Sequence, residues 1–561
     1  MGIFDLATVL CPRKPVNVER KPKPPPVFSP TNPDILIYKK ARNQPCAMAA
    51  VSPGFMPPVP VQSATPKPPA SHRLAVKLVS LLSARWLHEL LQFFLFIYLA
   101  RQSSTTYGIF QLALSLGSIY LLVGEFGLNL PLVSLLSRPG ANARQTLSQV
   151  LTLKAGALVL AGLGVLFFVF WQNYASPLRE VALIICGGMG LEALASTFFT
   201  TLQVQGRQGL EGRLRAAAAL VGFTYAFTAL ALGAPPYAVA LFKPLEALVN
   251  LLGSTAAVGL GGLWRLPDLR GLWRTCRGVA VFALMEAAAI LYNKANVFFL
   301  ERRLGPQGVA HYSATWVLVD GVSTIATTLV LQSVLFPLFA KYWEVDRQEV
   351  ARLAHASARW LLGAGLLLMF FLYAESDRII PWLYGPEFTE AVWLQRWLVL
   401  TIFFALVHNL SGFLMISMGV PGVLAAFYLV GLGFNLLFCW LVIPRAPLLG
   451  AALAIILTKG GIALMSFTFT HRRLRFLPWR DLGQLAAAAL VGLGCFHAGK
   501  AYLSRTPVSI TAFCLMLGLL VYWWHRKFPQ VGPPSRREMG GEGGQKPGAP
   551  APSPISPPPT P

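Results

Sequence analysis

Charged residues are scarce in this chain. Of its 561 residues only 12% are charged, whereas soluble domains carry about 25%. Acids are the scarcer kind, because 23 Asp and Glu stand against 47 Lys and Arg. Hydrophobic residues make up 55% of the chain, and the mean hydropathy is +0.56. These values exclude an ordinary soluble protein and predict a membrane protein with many spans.

Motifs that carry known chemistry are also missing. The seven cysteines have neither CxxC nor metal-ligand spacing, so no zinc or redox site is predicted. No GxSxG or phosphate-binding loop motif occurs, and we predict no catalytic residues, no metal and no cofactor. The net charge of +24 is typical of nucleic-acid-binding proteins. That function is not predicted here, because the cations are spread over tails and loops instead of one polar domain.

Apolar runs are the abundant feature. Between two polar, Pro-rich tails we count fourteen runs of 18 to 33 residues, and a helix needs ~20 residues to cross ~30 Å of hydrocarbon. They lie at about 74–100, 107–134, 149–172, 178–204, 214–233, 236–262, 278–300, 308–340, 358–375, 394–417, 421–443, 447–470, 482–502 and 508–525. The predicted fold is therefore an all-α polytopic membrane protein, in which short connections make consecutive helices antiparallel neighbours.

A weak internal repeat divides the fourteen spans. LAR at 99–101 and YGIF at 107–110 open the second span, while LER at 300–302 and AHY at 310–312 open the eighth. An even number of spans separates the two hairpins, so the repeats share one orientation. We predict two six-helix lobes with pseudo-twofold symmetry plus two C-terminal helices. The predicted domains are a disordered basic cytoplasmic tail at 1–72, an N-lobe at 73–275, a C-lobe at 276–474, the last two spans at 475–528 and a disordered cytoplasmic tail at 529–561.

Loop charge predicts the orientation. The loops after even-numbered spans hold seventeen Lys and Arg, and those after odd-numbered spans hold eight. In membrane proteins the cytoplasmic loops carry the excess of positive charge. We therefore expect both termini in the cytoplasm, and the turns at 301–307 and 376–393 on the opposite side.

Four polar side chains lie in the middle of the first span. Arg85, His88, Glu89 and Gln92 are spaced i, i+3, i+4 and i+7, so they share one helical face. A charge near the bilayer centre costs ~2.5–3.5 kcal/mol or more and normally faces a partner or a wet cavity. One interpretation is a self-contained pair of Arg85 with Glu89. The other is a cavity wall, on which Arg85 holds a phosphate with paired N–H donors.

The seventh span carries a second polar set. Glu286 and Lys294 lie ~12 Å apart along the helix axis, so they are not a simple ion pair, and each needs another partner or water. Asn293 and Asn296 lie on the same span. These groups either hold helices together or line the cavity. The predicted substrate-binding residues are Arg85, His88, Glu89, Gln92, Asn293 and Lys294, and the predicted ion-coupling acids are Glu89, Glu286 and Asp320.

Other charged residues in the apolar runs have a simpler interpretation. Lys154, Lys243 and Arg396 lie near predicted span ends, and we expect their side chains to extend to the lipid headgroups. His408 is interpreted as a packed residue rather than a ligand.

Several of these stretches resemble one known family. The chain is similar to the oligosaccharide flippases, the polysaccharide biosynthesis membrane proteins of the multidrug/oligosaccharidyl-lipid/polysaccharide exporter superfamily. The similarity is carried by LAR with YGIF at Leu99–Phe110, GEFGLN at Gly124–Asn129, FFLERRLGPQGVAHYSATWVLVDG at Phe298–Gly321, LFPLF at 335–339 and IIPWLYGPEFTEAVWLQRWL at Ile379–Leu398. It extends from about residue 74 to 525. Family members often have an Asp where this chain has Asn296.

The resemblance implies a transporter of the bacterial inner membrane. Its two lobes would surround a cationic cavity that suits a lipid diphosphate, and alternating access would carry a polyprenyl-diphosphate-linked oligosaccharide to the outer leaflet. The product would serve O-antigen, capsule or exopolysaccharide synthesis. A proton or sodium gradient, membrane lipids and the polysaccharide polymerase machinery are the implied partners.

Three alternatives are left open by the sequence. A cation-coupled drug exporter of the same fold is expected to have an acidic or aromatic cavity, and the positive charge of Arg85 disfavours that function. A flippase of a peptidoglycan precursor is closely related. A polymerase or ligase usually carries a long extracytoplasmic loop with catalytic residues, and the longest such loop here, 376–393, is short.

Overall fold

The structure describes residues 70–125, 132–133, 136, 143–259, 269–502 and 504–525. It is a computed structural model, and its side chains are described from Trp86 onward, except at 143, 269–279 and 525. Within these residues the chain is helical and contains no strand. The predicted tails at 1–72 and 529–561 lie outside the described residues, apart from 70–72, which begin the first helix.

Fourteen long helices and one short helix follow each other along the described chain. They are α1 (Ala70–Gln102), α2 (Ser104–Glu125), α3 (Ala143–Trp171), α4 (Leu178–Val204), α5 (Gln208–Ala231), α6 (Pro236–Ala240 and Phe242–Val258), α7 and α8 (together Leu269–Ala326, divided at Gly305, with α8 continuing through Thr327–Leu335 and Phe336–Trp343), α9 (Arg347–Ala374), the short α10 (Ser376–Tyr384), α11 (Ala391–Leu398 and Leu400–Ser417), α12 (Pro421–Val442), α13 (Pro447–Leu474), α14 (Trp479–Gly499) and α15 (Arg505–His525).

The predicted fold class is confirmed, because each of the fourteen apolar runs coincides with one long helix. Among the described residues, eleven helical stretches are long and apolar enough to cross a membrane, and one of them, Ala280–Trp343, contains both α7 and α8. The outer face of α3 is apolar, with Leu160 70%, Phe167 67% and Trp171 71% exposed. Apolar surface of this kind fits contact with lipid, and the chain is an integral multi-pass membrane protein.

Helices α1–α6 and α7–α13 pack as two halves with corresponding contacts. In the first half α1 packs on α5, while α4 and α5 pack on α6. In the second half α7 packs on α12 through the rings of Tyr292 and Tyr428, while α11 and α12 pack on α13. Numbered by membrane span, without the short α10, the contacting pairs are 1–5, 4–6 and 5–6 in the first half and 7–11, 10–12 and 11–12 in the second. Adding six to each span number of the first half gives the pairs of the second. The predicted pair of six-helix lobes is therefore present.

The last two helices, α14 and α15, pack on α9. Asp481 at the start of α14 is buried, and its Oδ2 accepts a hydrogen bond from Arg359 Nε at 2.8 Å and lies 2.6 Å from His355 Nε2. Farther along α9, a Cβ on Gly363 would lie 2.5 Å from the ring of Trp524 on α15. A buried carboxylate and close helix contact thus attach both extra helices to the second half.

The turn between α7 and α8 is tight. Gly305 has φ +66°, a left-handed conformation that glycine adopts without steric cost, and Pro306 follows as the first residue of α8, where its missing N–H needs no partner. The later part of α8, Thr327–Leu335, is π-helical. The turn therefore brings α8 back beside α7, as the predicted membrane hairpin requires.

Candidate functional site

The short helix α10 joins the two halves at one end of the molecule. Arg101, at the end of α1, donates hydrogen bonds from Nε to the carbonyl of Leu383 (2.8 Å) and from Nη2 to that of Trp382. Both carbonyls lie in the last turn of α10, where carbonyls lack partners within the helix. The N–H of Ser104 donates to Oε2 of Glu387 at 3.4 Å. A cation of the first half therefore satisfies a helix end that belongs to the second half.

Aromatic rings fill the same end. Tyr107 on α2 is fully buried, and its ring centroid lies 5.9 Å from that of Tyr384 and 6.0 Å from that of Phe388. The ring of His311 on α8 lies 5.4 Å from Phe388 on its other side. Edge and tilted contacts of this kind are favourable between rings 4.5–7 Å apart, so the packing is specific as well as apolar.

At Gly108 the backbones of the two halves approach each other closely. A Cβ at this position would lie 1.8 Å from the carbonyl oxygen of Pro306, so only a residue without a side chain fits. We call residues 101–108, 306–311 and 382–388 the seam. They lie at the end of the molecule that carries the turns predicted to be outside the cytoplasm.

The two halves are in contact at the seam. Next to it, the rings of Phe168 on α3 and Phe298 on α7 lie 5.7 Å apart, so these two helices also meet across the halves. A two-lobed molecule of this kind fits an alternating-access transporter, in which contacts between the lobes form and break.

A chain of charged side chains lies inside the first half. Lys243 Nζ on α6 is 2.6 Å from Glu192 Oε2 on α4 and 3.2 Å from Glu246 Oε2, and Glu246 Oε1 is 3.0 Å from His88 Nε2 on α1. Lys243 and Glu246 are buried, whereas the side chains at the two ends, Glu192 and His88, are 22% and 25% exposed. We call these four residues the N-cluster. It holds one ammonium and two carboxylates, so a proton on His88 makes it neutral.

Lys154 on α3 is the centre of a second buried network. Its Nζ donates hydrogen bonds to the carbonyl of Ala193 (2.6 Å) and to the hydroxyls of Ser196 (2.9 Å) and Thr197 (3.1 Å) on α4. Oε1 of Glu125, at the end of α2, lies 3.3 Å from the same nitrogen. Three helices of the first half are thus connected through one ammonium group.

The expectation that Lys154 and Lys243 extend to the lipid headgroups is wrong. Lys154 is fully buried and Lys243 is 7% exposed, because acids on neighbouring helices face them inside the bundle. Arg396 differs, since its side chain is 36% exposed and Nε donates to Ser376 Oγ at 3.0 Å, beside α10. Proximity to a span end therefore does not by itself make a lysine leave the interior.

The second half carries its own charge cluster. Oδ1 of Asp320 on α8 lies 3.0 Å from Lys459 Nζ on α13, and that ammonium stands 4.5 Å from the ring centroid of Trp316. Lys294 on α7 is close enough to Asp320 for a Coulombic interaction. It is half-buried and makes no hydrogen bond within the described residues. Lys294, Asp320 and Lys459, which we call the C-cluster, place two cations beside one carboxylate.

The predicted residues of the first span are only partly brought together. The backbone of Arg85 lies in α1, but its side chain is outside the described side chains, so a pair of Arg85 with Glu89 stays a prediction. Glu89 is exposed and Gln92 is half-buried, and neither makes a hydrogen bond or ion pair with a residue that the structure describes. His88 is the member with a defined partner, Glu246.

The polar residues of the seventh span separate into two kinds. Asn296 is fully buried, and its Nδ2 donates to Tyr312 Oη at 3.1 Å and to the carbonyl of Ala451 at 3.0 Å, so it ties α7 to α8 and α13. Glu286 and Asn293 are half-buried, and the described residues leave Asn293 Oδ1 without a partner. Asn296 therefore holds helices together. Glu286, Asn293 and Lys294 each keep polar atoms without a hydrogen-bond partner among the described residues.

Sequence reasoning missed the N-cluster as a unit. Lys243 and Glu246 are three residues apart, a spacing that places two side chains on one helical face, and this signal could have been used. Their partners on α1 and α4 could not, because spacing along the chain does not say which helices become neighbours. In the described part of the chain, no group of three or more His, Cys, Asp or Glu is arranged to hold a metal ion.

Comparison with known proteins gives a match to one family over part of the chain and a similarity of fold. Residues 74–343 match the model of a family described as polysaccharide biosynthesis protein. The structure is similar to an inward-facing multidrug resistance MATE family transporter of the MOP superfamily, at 14% identity and a TM-score of 0.54 over 71% of this chain and 98% of that one. It is similar to the lipid II flippase MurJ in an inward closed conformation, at 11% identity and a TM-score of 0.60 over 80% and 99%. A eukaryotic MATE transporter, AtDTX14, matches at 9% identity and a TM-score of 0.51 over 80% and 98%. No protein of curated function matches significantly, and identities this low establish the fold alone.

Proposed function

We propose that this chain, which matches the model of the polysaccharide biosynthesis protein family over residues 74–343, is a flippase for polyprenyl-diphosphate-linked oligosaccharide units. It carries them from the cytoplasmic to the outer leaflet of a bacterial inner membrane for cell-surface polysaccharide synthesis. The two halves rock so that the space between them opens alternately to each side. The seam is the contact that must break when the outer side opens.

The charge of the C-cluster is the observation that carries this proposal. Lys294 and Lys459 share the single carboxylate of Asp320, and Lys294 makes no hydrogen bond within the described residues. An ammonium group has three donors, and burial without partners is costly. A dianionic diphosphate supplies both the missing charge and the missing acceptors. A net positive site also disfavours the cationic substrates of a drug exporter.

The opposite wall of the space is assigned to α1. Arg85 lies one turn before His88 on the same helical face, and a guanidinium offers phosphate two parallel donors. We assign Arg85 and Lys294 to the diphosphate, and His88, Glu89, Gln92 and Asn293 to the surrounding polar wall. Closure of the halves brings the two cations to one ligand.

Arg85→Lys is expected to insert normally and lose most transport, because it keeps the charge but loses the paired donors. A charged hydrogen bond contributes ~1.5–3 kcal/mol, so transfer of a fluorescent polyprenyl-diphosphate sugar from one leaflet of proteoliposomes to the other should fall ~10-fold or more. The measurement is the initial rate per correctly oriented molecule.

The double variant Arg85→Ala with Glu89→Ala separates binding from mere charge neutralisation. If Arg85 binds diphosphate, the double variant is as inactive as Arg85→Ala alone. Recovery of transport in the double variant would show that Arg85 only neutralises Glu89, and the diphosphate role would be abandoned.

Ion coupling is assigned to one of Glu89, Glu286 and Asp320, and Glu286 fits best. It is half-buried and has no hydrogen bond or ion pair to a described residue, whereas Asp320 is held by Lys459. A buried carboxyl without a counter-charge is disfavoured as an anion and can take up a proton. Glu286→Gln should still bind substrate but lose its response to an imposed proton or sodium gradient. If Glu286→Gln keeps that response and Asp320→Asn or Glu89→Gln loses it, the assignment moves to the latter residue.

The proposed orientation has a direct test. In a variant without the native cysteines, single cysteines at Arg138, Arg270, Arg347 and Arg473 should react with an impermeant thiol reagent only from the cytoplasmic side. Cysteines within 301–307 and 376–393 should react only from the opposite side. Cytoplasmic labelling of 301–307 would reverse the topology and with it the direction of transport.

A further inference from the structure

A groove opens between α12 and α13 on the outside of the second half. Its volume is about 500 Å³, within the ~300–1,000 Å³ of pockets that hold small ligands. It is lined by Phe427, Leu464, Met465, Thr468, Phe469, Arg472 and Arg473. Nothing in the proposed transport cycle uses this surface.

The groove faces the lipid and not the space between the halves. Its residues on α13 are spaced i, i+1, i+4, i+5, i+8 and i+9, which places them on one face of the helix. Leu464 on this face is 67% exposed. The part of α13 that is buried in the bundle includes Ser466 and Thr470, and also Lys459 of the C-cluster. The groove, with its exposed Leu464, is therefore distinct from the buried side of α13 on which Lys459 lies.

The groove is closed at its inner end. Farther along the pair, a Cβ on Gly431 would lie 2.6 Å from Cδ1 of Ile462, and Asn435 Nδ2 donates to Thr458 Oγ1 at 3.1 Å. These contacts close the space between α12 and α13 toward the membrane centre. What remains is a cleft that opens toward the end of α13.

Positive charge stands at the mouth of the cleft. Arg472 and Arg473 are exposed in the last turn of α13 and make no hydrogen bond or ion pair within the described residues. The guanidinium of Arg473 lies 4.5 Å from the ring centroid of Phe469, so the groove wall orients it. Arginines at a helix end commonly donate to the last carbonyls, and these two do not. None of the groove residues is acidic.

We propose that this groove binds one anionic phospholipid of the surrounding leaflet. Its phosphate lies between Arg472 and Arg473, because guanidinium groups match phosphate with paired donors, and one acyl chain lies between Phe427 and Leu464. Basic pockets between membrane helices bind anionic headgroups in this manner. The site is independent of the transported lipid.

Native mass spectrometry of the full-length protein in detergent, titrated with phosphatidylglycerol or with phosphatidylcholine, tests the site. We expect phosphatidylglycerol to be retained ~10-fold more tightly, because its headgroup has a net negative charge, whereas the choline cation of phosphatidylcholine offsets its phosphate and is repelled by the two arginines. The double variant Arg472→Ala with Arg473→Ala should lose this preference. Met465→Trp, which fills the groove, should lose retention of both lipids.

The matched control is Arg213→Ala with Arg480→Ala. These two arginines are exposed and carry no partner in the described structure, and they are predicted to lie on the same side of the membrane. The control removes the same charge and should retain the preference for phosphatidylglycerol. Thermal unfolding should first show that every variant is folded. The proposal is overturned if the Arg472/Arg473 variant retains phosphatidylglycerol as well as the unaltered protein does. It is also overturned if the control variant loses the preference for phosphatidylglycerol to the same extent.

Polyprenyl monophosphate is the third probe. A bulk-lipid site should bind it no better than phosphatidylglycerol. Displacement of nearly all bound phosphatidylglycerol by an equimolar amount of polyprenyl monophosphate, instead of at most half, would assign the groove to the transported class of lipid, and the proposal of a bulk-lipid site would be wrong. All of these experiments measure lipid binding, so their results do not depend on whether the chain flips an oligosaccharide.

Discussion

Gly108→Ala is expected to hold the two halves apart at the seam. The new Cβ would lie 1.8 Å from the carbonyl oxygen and 2.7 Å from the carbonyl carbon of Pro306, and no rotamer change can move these backbone atoms. Overpacking costs ~1–3 kcal/mol, occasionally more, which corresponds to a ~5–150-fold shift of an equilibrium. The state with a closed seam is destabilised by this factor, and in the proposed alternating-access cycle, which passes through that state, transport falls with it.

Distances across the seam measure this effect. Gln102 and Trp382 are exposed on opposite sides of the seam, so spin labels placed there report its opening. In Gly108→Ala the distribution should move to longer distances, whereas Gly164→Ala on α3, where a Cβ meets nothing within 4 Å, should leave distance and transport unchanged. Identical distributions in the two variants would mean that the seam is not the closed contact of the cycle.

Lys243→Met is expected to cause the largest loss of stability. It leaves Glu192 and Glu246, which lie 2.6 and 3.2 Å from the ammonium, without their shared cation. Removing one partner of a buried ion pair costs ~3–5 kcal/mol. Protonated His88, 3.0 Å from Glu246, can compensate one carboxylate but not both. The thermal unfolding temperature of the purified protein should fall clearly, and the yield from membranes with it.

A rescue variant separates charge from packing. Lys243→Met combined with Glu192→Gln and Glu246→Gln removes the uncompensated charges, so most of the stability should return. Lys500→Met, at an exposed position after α14, is the matched control and should unfold like the unaltered protein. A triple variant as unstable as Lys243→Met would attribute the loss to the shape of the side chain instead of to charge.

The membrane class and the helix count followed from the sequence because each depends on one stretch of chain. A run of about 20 apolar residues crosses the bilayer whatever it packs against, and the backbone must then be helical to satisfy its own polar groups. The seam was visible only as a repeated motif. YGIF at 107–110 and AHY at 310–312 marked equivalent hairpins, but did not show that Gly108 lies against Pro306.

The partners of the buried charges were decided by the tertiary structure. Helical spacing placed His88 and Glu89 on a polar face of α1, yet His88 contacts Glu246 while Glu89 stays exposed. Lys154 and Lys243 looked like residues near span ends, and acids on neighbouring helices hold both inside the bundle. Periodicity reports the direction in which a side chain leaves its own helix. Which helix stands in that direction depends on how all the helices pack. A buried charge is therefore stabilised by whichever partner the fold brings within a few ångströms, and the sequence does not show which partner that is.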